Sequence, residues 1–164
     1  MIRDARVSDL EGVFGILNEH VLHGTATFDT EPYLVGRDDA WLIGRDLVRH
    51  PVLVADEDGS VAGWAALSPW SERGAYARTA EVSVYVSETS QGEGVGRALM
   101  RALIERAREA GLGVLVARIA EGNPASAALF ASLGFHRFGT QRRCGEKLGR
   151  ILDVELLDLH LDGG

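Results

Sequence analysis

The sequence predicts one α/β (or α+β) domain around a mixed sheet, on three observations. Two apolar, β-branched runs, residues 51–56 and 61–67, flank Glu57-Asp58-Gly59-Ser60, a turn that makes them an antiparallel hairpin. The centre of the chain reads strand, helix, strand, which adds a parallel crossover. The 164 residues suffice for one core, and no repeat, low-complexity tract or Pro/Ser linker divides them, so residues 1–164 are taken as a single domain.

Residues 2–6 read as a short first strand. Ser8 stands as a helix N-cap with Glu11 as its capping-box partner, and Leu10, Val13, Phe14, Leu17 and Val21 follow at helical spacing. Gly24 to Pro32 breaks that period and reads as a loop. Trp41, Leu42, Arg45 and Val48 mark a second helix over residues 38–49. After the hairpin, residues 68–78 form a loop carrying Pro69, Trp70, Arg73, Gly74 and Tyr76. Residues 79–86 alternate, placing Glu81, Ser83 and Tyr85 on one face and Ala80, Val82, Val84 and Val86 on the other. Residues 95–110 form an amphipathic helix stopped by Gly111. Residues 114–119 are a buried strand. Residues 124–133 are a helix with Pro124 in its first turn and Gly134 beyond its end. Residues 135–141 and 151–160 close the chain as strands.

Composition narrows the function. A net charge of −7 argues against general nucleic-acid or anionic-membrane binding, which needs a basic face. The single cysteine, Cys144, forms no internal disulfide, and a reducing cytoplasm is the simplest compartment. No Cys/His constellation surrounds it, so it is not read as a nucleophile. The five histidines show no metal-ligand spacing, so no metal is expected. The first residues lack the apolar stretch of a signal peptide, and no run approaches the ~18 apolar residues of a membrane span.

Gly92, Gly94 and Gly96 lie between the strand at 79–86 and the helix at 95–110. Glycines at a helix start leave backbone N–H groups and the positive helix end open to an anion, and a pyrophosphate is the natural guest. A plain flexible turn is one reading. A dinucleotide-binding loop is a second, but that motif belongs in the first strand–helix turn with an acidic residue ~20 positions on, and Glu121 falls too far along. No Gly-Lys-Ser/Thr ending marks a nucleoside-triphosphate loop.

Gln91-Gly92-Glu93-Gly94-Val95-Gly96 resembles the Gln/Arg-x-x-Gly-x-Gly/Ala loop of the GNAT N-acetyltransferases. Asn123-Pro124-Ala125-Ser126 through Leu133-Gly134-Phe135 resembles the second half of that signature, and the likeness covers most of the chain. Trp70 to Glu81 is similar to the Trp-x-x-Arg-x-Ala-Tyr-x-x-Thr-Ala/Val-Glu segment of phosphinothricin acetyltransferases. Thr25 to Pro32 and Gly145-Glu146-Lys147-Leu148-Gly149-Arg150 resemble further segments of that group, whose members act on methionine sulfone, methionine sulfoximine and similar amino acids.

The resemblance implies the GNAT fold: a mixed, mostly antiparallel sheet, helices on both faces, and a splayed central pair formed by the strands at 79–86 and 114–119. It implies transfer of an acetyl group from acetyl-CoA to the α-amino group of a small amino-acid analogue, by direct attack, without metal. Glu81 is then the base that takes the amine proton. Val84, Tyr85 and Val86 hold the acetyl and pantetheine arm through backbone atoms, and Gln91, Gly92, Glu93, Gly94, Val95, Gly96 and Arg97 hold the pyrophosphate. Asn123 reads either as a pantetheine partner or as the N-cap before Pro124, and Ser126 makes a weaker cofactor candidate. Arg73 is the candidate for the acceptor carboxylate, with Arg78 behind it; Phe28 and Gly74, Ala75 and Tyr76 line the acceptor. A homodimer is the family habit.

Three positions depart from the pattern. Val82 stands where many relatives have His, Phe130 where a Tyr or His is usual, and Ile151 where a Trp is usual. No general acid for the departing thiolate remains near Phe130. A protein N-acetyltransferase and a non-catalytic acyl-CoA sensor are the alternatives that these departures leave open.

Overall fold

In this computed structural model, which describes residues 1–162, seven strands form one sheet. They are β1 (Ile2–Asp4), β2 (Val52–Glu57), β3 (Ser60–Pro69), β4 (Thr79–Val86), β5 (Val114–Ala120), β6 (His136–Lys147) and β7 (Arg150–His160). Their spatial order is β1-β2-β3-β4-β5-β7-β6. Neighbours run antiparallel except β4 and β5, which the central crossover makes parallel. The hairpin turn works as its sequence suggests: Asp58 and Gly59 take φ of 52° and 86°, and Asp56 Oδ1 accepts from Gly59 N–H at 2.8 Å.

Helices cover both faces. On one side α3 (Val95–Glu109) buries Leu99, Met100, Leu103 and Ala107 against Ala80, Val82 and Leu115, and α4 (Pro124–Ser132) adds Phe130. On the other side α1 (Leu10–His23) buries Leu10, Val13, Phe14 and Leu17 against Val54, Trp64 and Ala66. The alternation of β4 feeds both layers: Ala80, Val82 and Val84 join the α3 core, and Tyr85 packs with the α1 core. Helices α3 and α4 end alike. Gly111 and Gly134 have positive φ, and the next N–H reaches back to Ala107 and Phe130 carbonyls. Phe130 and Phe135 add an edge-on ring contact at 5.0 Å across the second of these ends.

Several boundaries differ from the sequence reading. Only α2 (Ala40–Ile43) forms within residues 38–49. Gly44 stops it, Arg45 Nε takes the Trp41 carbonyl at 2.6 Å, and Asp46 Oδ1 accepts from Val48 and Arg49 N–H in a tight turn. Ser8 is not the cap that opens the first helical segment. Asp9 closes it instead, its carboxylate accepting from Arg6 N–H at 2.7 Å within a 3-10 turn at Val7–Asp9. The last hairpin is longer than expected, because β6 runs on to Lys147 through polar residues exposed on both faces, with a bulge at Arg143 (φ 52°).

The feature that positions the site is a gap in the sheet. Residues Thr79, Ala80 and Glu81 pair with Val114, Leu115 and Val116, and there the β4–β5 pairing stops. β4 continues on β3 as far as Val86 opposite Gly63, and β5 continues on β7 as far as Ala120 opposite Val154. The sheet therefore opens immediately after Glu81.

Candidate active site

A cavity of about 540 Å³ lies in that opening. It is lined by β4 from Glu81 to Tyr85, by the end of β5 with Asn123, Ser126 and Phe130, and by Thr25–Asp29 with Trp41, Arg45 and Trp64.

Glu81 sits at the fork. Its carboxylate takes a two-pronged pair from Arg118, Nε to Oε2 at 2.9 Å and an Nη2 contact to Oε1 at 3.2 Å. Arg118 in turn lies over the Trp70 ring, 4.7 Å from its centroid. Burial pushes the Glu81 carboxyl above the usual carboxylate range, and Arg118 opposes that shift without cancelling it. A half-buried carboxylate raised in this way is a stronger proton acceptor than an exposed one.

Three side chains from different elements clasp the loop after α1. Lys147 Nζ donates to the His20 and Thr27 carbonyls at 2.9 and 2.7 Å, Tyr85 Oη to the Ala26 carbonyl at 3.3 Å, and Asn123 Nδ2 to Thr25 Oγ1 at 3.2 Å. Lys147 is buried, which draws its ammonium below the ordinary lysine value. Burial likewise pushes the Tyr85 phenol up to about 12. The Phe28 ring lies against the Gly145 backbone so closely that a Cβ there would stand 2.2 Å from Phe28 Cε2. The Asn123 side chain makes no cap bond to α4; its amide also donates to the Ala120 carbonyl at 2.9 Å. Asn123 does stand at the N-cap position of α4, as one of its two sequence readings has it, with its backbone carbonyl accepting from Ala127 N–H at 3.2 Å.

The glycine loop ends at the start of α3. Gly92 and Gly94 have φ of 80° and 83°, and Gly94 is the residue before the helix. The N–H groups of Val95, Gly96 and Arg97 belong to the first helical turn, where no intrahelical acceptor exists. Gln91, Gly92, Glu93 and Gly94 are exposed, as an anion's approach needs. Gly96 faces Val86 and Leu129, whose methyls would stand 3.5 and 3.4 Å from a Cβ, so the wall between β4 and α4 is narrow there. Arg97 Nη2 bonds Ser132 Oγ at 2.9 Å, its guanidinium exposed.

Other expected residues are placed differently. Phe28, Val84, Tyr85, Asn123 and Ser126 line the cavity. Arg73, Gly74, Ala75 and Tyr76 form an exposed turn that does not line it, and Arg78 pairs with Asp162 and folds over Gly113. Cys144 reaches the cavity wall with its Sγ 3.8 Å from the Leu152 carbonyl. Sequence reasoning missed Arg118 and Arg45. Arg118 was marked by being the one charge in an apolar run, Val-Leu-Val-Ala-Arg-Ile-Ala, and Arg45 by nothing beyond its place in a supposed helix.

Comparison with known proteins decides the family. Residues 15–135 match the Acetyltransferase (GNAT) family. The chain belongs to the GNAT acetyltransferases. It is 42% identical over 162 residues to an L-methionine sulfoximine/L-methionine sulfone acetyltransferase of Pseudomonas paraeruginosa, covering 98% of this chain and 94% of that one. A solved Salmonella typhimurium acetyltransferase with its cofactor acetyl-CoA superposes with a TM-score of 0.95 at 38% identity, over 100% of this chain and 95% of the other. A ribosomal-protein-alanine N-acetyltransferase from Brucella melitensis gives 0.94 at 37%, over 98% and 99%.

The GNAT fold expected from the sequence is thus present, with its splayed central pair and helices on both faces. Phe130, where the sequence resemblance leads one to expect a Tyr or His, is 5% exposed and packed on Phe135, so α4 offers no proton donor at that position. No group of acidic, His or Cys residues able to hold a metal exists among the described residues, and no helix there is long and apolar enough to cross a membrane.

Proposed function

We propose that this GNAT acetyltransferase moves an acetyl group from acetyl-CoA to the α-amino group of a small amino-acid analogue of the methionine sulfone, methionine sulfoximine or phosphinothricin type. One observation carries the reading: a half-buried Glu81, its carboxyl raised by burial, stands where the sheet opens onto a cavity. The relative acting on methionine sulfoximine and sulfone supports the acceptor class.

Acetyl-CoA supplies an activated thioester. The first-turn N–H groups of α3 and the glycines before it fit its pyrophosphate, and the stretch of β4 from Val84 to Val86, paired with β3 but free of β5, fits the arm that follows. Backbone donors of that stretch face the gap and can meet the negative charge that develops on a carbonyl oxygen. Glu81 takes a proton from the incoming ammonium and leaves a neutral amine to attack the thioester carbonyl. Arg118 keeps Glu81 aimed. A thiolate of pKa about 8.5 departs without help from Phe130. Phe28 and Asn123 line the cavity; the Arg73–Tyr76 turn lies outside its lining, and its part in acceptor binding rests on its segment resemblance alone.

The test is thiol release from acetyl-CoA with L-methionine sulfone as acceptor. Wild type should turn over, and Glu81→Gln should not. A second reading, acetylation of a protein N-terminus, is favoured by the Brucella relative, and an alanine-headed peptide in the same assay measures it. We also assign the chain to the cytoplasm and to a homodimer. Its single thiol supports the first. The exposed Phe138, Leu148 and Ile151 on the β6–β7 hairpin support the second.

A further inference from the structure

We infer that Arg45 is the anchor for the α-carboxylate of the acceptor, a role that rests on the proposed amino-acid acetylation and goes beyond it. The cavity presents two guanidinium groups. Arg118 is committed to Glu81 by both prongs. Arg45 has no carboxylate partner among the described residues. Its Nε donates to the Trp41 carbonyl at 2.6 Å, and its Nη1 to the Leu67 carbonyl at 2.6 Å and Ser68 Oγ at 3.3 Å. These are neutral acceptors, and they use Nε and Nη1. Nη2, with its two N–H donors, has no acceptor among the described residues. The guanidinium also rests on the Trp41 ring, 4.6 Å from its centroid. It is thus fixed on its inner edge and open on its outer one, which is how a preorganised anion anchor is built.

Register places that open edge beside the base. Ser68 on β3 lies directly opposite Glu81 on β4, and residues so paired stand with their Cβ atoms about 4.5–5.5 Å apart on one face. Arg45 bonds Ser68, so its guanidinium and the Glu81 carboxylate flank the same patch of cavity. An α-amino acid carries its ammonium and carboxylate on one carbon. The two protein groups match that pair, ammonium toward Glu81 and carboxylate toward Arg45. Trp41 and Tyr85, which meet the Trp64 ring from either side at 5.2 and 5.0 Å, are then left with it as the wall for the acceptor's side chain. The exposed Arg73 stands outside this arrangement.

The test compares L-methionine sulfone with 3-(methylsulfonyl)propylamine, the same amine without its carboxylate, as acceptors for wild type, Arg45→Gln and Arg45→Lys. Wild type should prefer the amino acid. In Arg45→Gln that preference should fall roughly 10- to 100-fold, the range expected for a hydrogen-bonded charge pair, chiefly through KM. Arg45→Lys should fall in between. A purely structural Arg45 would lower turnover of both compounds together, leave their ratio unchanged, and overturn the assignment. So would loss of the preference in Arg73→Gln with its retention in either Arg45 variant. Lysine keeps the charge and can still reach a carbonyl, so it reports even where glutamine impairs folding. If wild type acetylates neither compound, the proposed activity itself fails. If it acetylates both and only the ratio fails to move, Arg45 alone is wrong.

Discussion

At the scale of single residues, Glu81 and Arg118 act as one unit. Glu81→Gln removes the proposed proton acceptor and should lower kcat/KM by about 10²- to 10⁴-fold, read by thiol release. The same change should raise thermal stability near neutral pH. A carboxyl raised in the folded state favours folding while it is protonated and loses that advantage as pH rises through its folded value, so the ionised form is the costly one. Arg118→Gln removes the charge that holds Glu81 down. Its carboxyl should rise further, and the acidic limb of the pH–rate profile should move to higher pH. A pH profile identical to wild type would dismiss Arg118 from this role. Glu81 was legible because strict alternation fixed its face and a segment likeness fixed its place. Arg45 and Lys147 were not. Lys147 meets Thr27 and His20 across more than a hundred residues, and no local pattern records such a contact.

At the scale of elements, the strand and helix order was readable because its determinants are local: an Asp-Gly turn, glycines with positive φ past α3 and α4, and apolar periods. The reading failed where those determinants compete. Residues 45–49 kept a helical period, yet Gly44 and the Asp46 side chain settle the backbone otherwise. The far half of β6 has no apolar alternation to read, since Gln141 to Cys144 are exposed and the buried residue at its end is Lys147. Two glycines test what these elements hold in place. Gly94→Ala puts a Cβ into open space but keeps a φ of 83°, so it should cost about 1–2 kcal/mol of stability and weaken acetyl-CoA binding by reorienting the α3 N–H groups. Gly145→Ala drives a Cβ into the Phe28 ring, and should raise the acceptor KM while leaving acetyl-CoA affinity near wild type, as calorimetry would show.

At the scale of the whole molecule, one charged knot ties the first strand, the first helix and the β2–β3 hairpin. Arg3 donates to both Asp9 oxygens at 2.8 Å and to Asp56 at 3.0 Å. Arg3 holds the Asp9 carboxyl below the usual carboxylate range, and the Gly59 N–H together with Arg3 does the same for Asp56. Stability from such groups is complete above the ordinary carboxylate pKa and is lost as pH falls through their folded values. Asp9→Asn should therefore cost about 2 kcal/mol near neutral pH and flatten the fall in melting temperature on acidification. Elsewhere the molecule is arranged around its gap: β3 and β7 hold the two inner strands, α3 starts beside it behind the glycine loop, and the clasped loop lines the cavity. The central question for the molecule is whether that gap supports acetyl transfer. Thiol release from acetyl-CoA with saturating L-methionine sulfone, wild type beside Glu81→Gln, measures this directly. Saturable release by wild type, lost in the variant, is the predicted result. Firm coenzyme A binding with no thiol released to any small primary amine would contradict it.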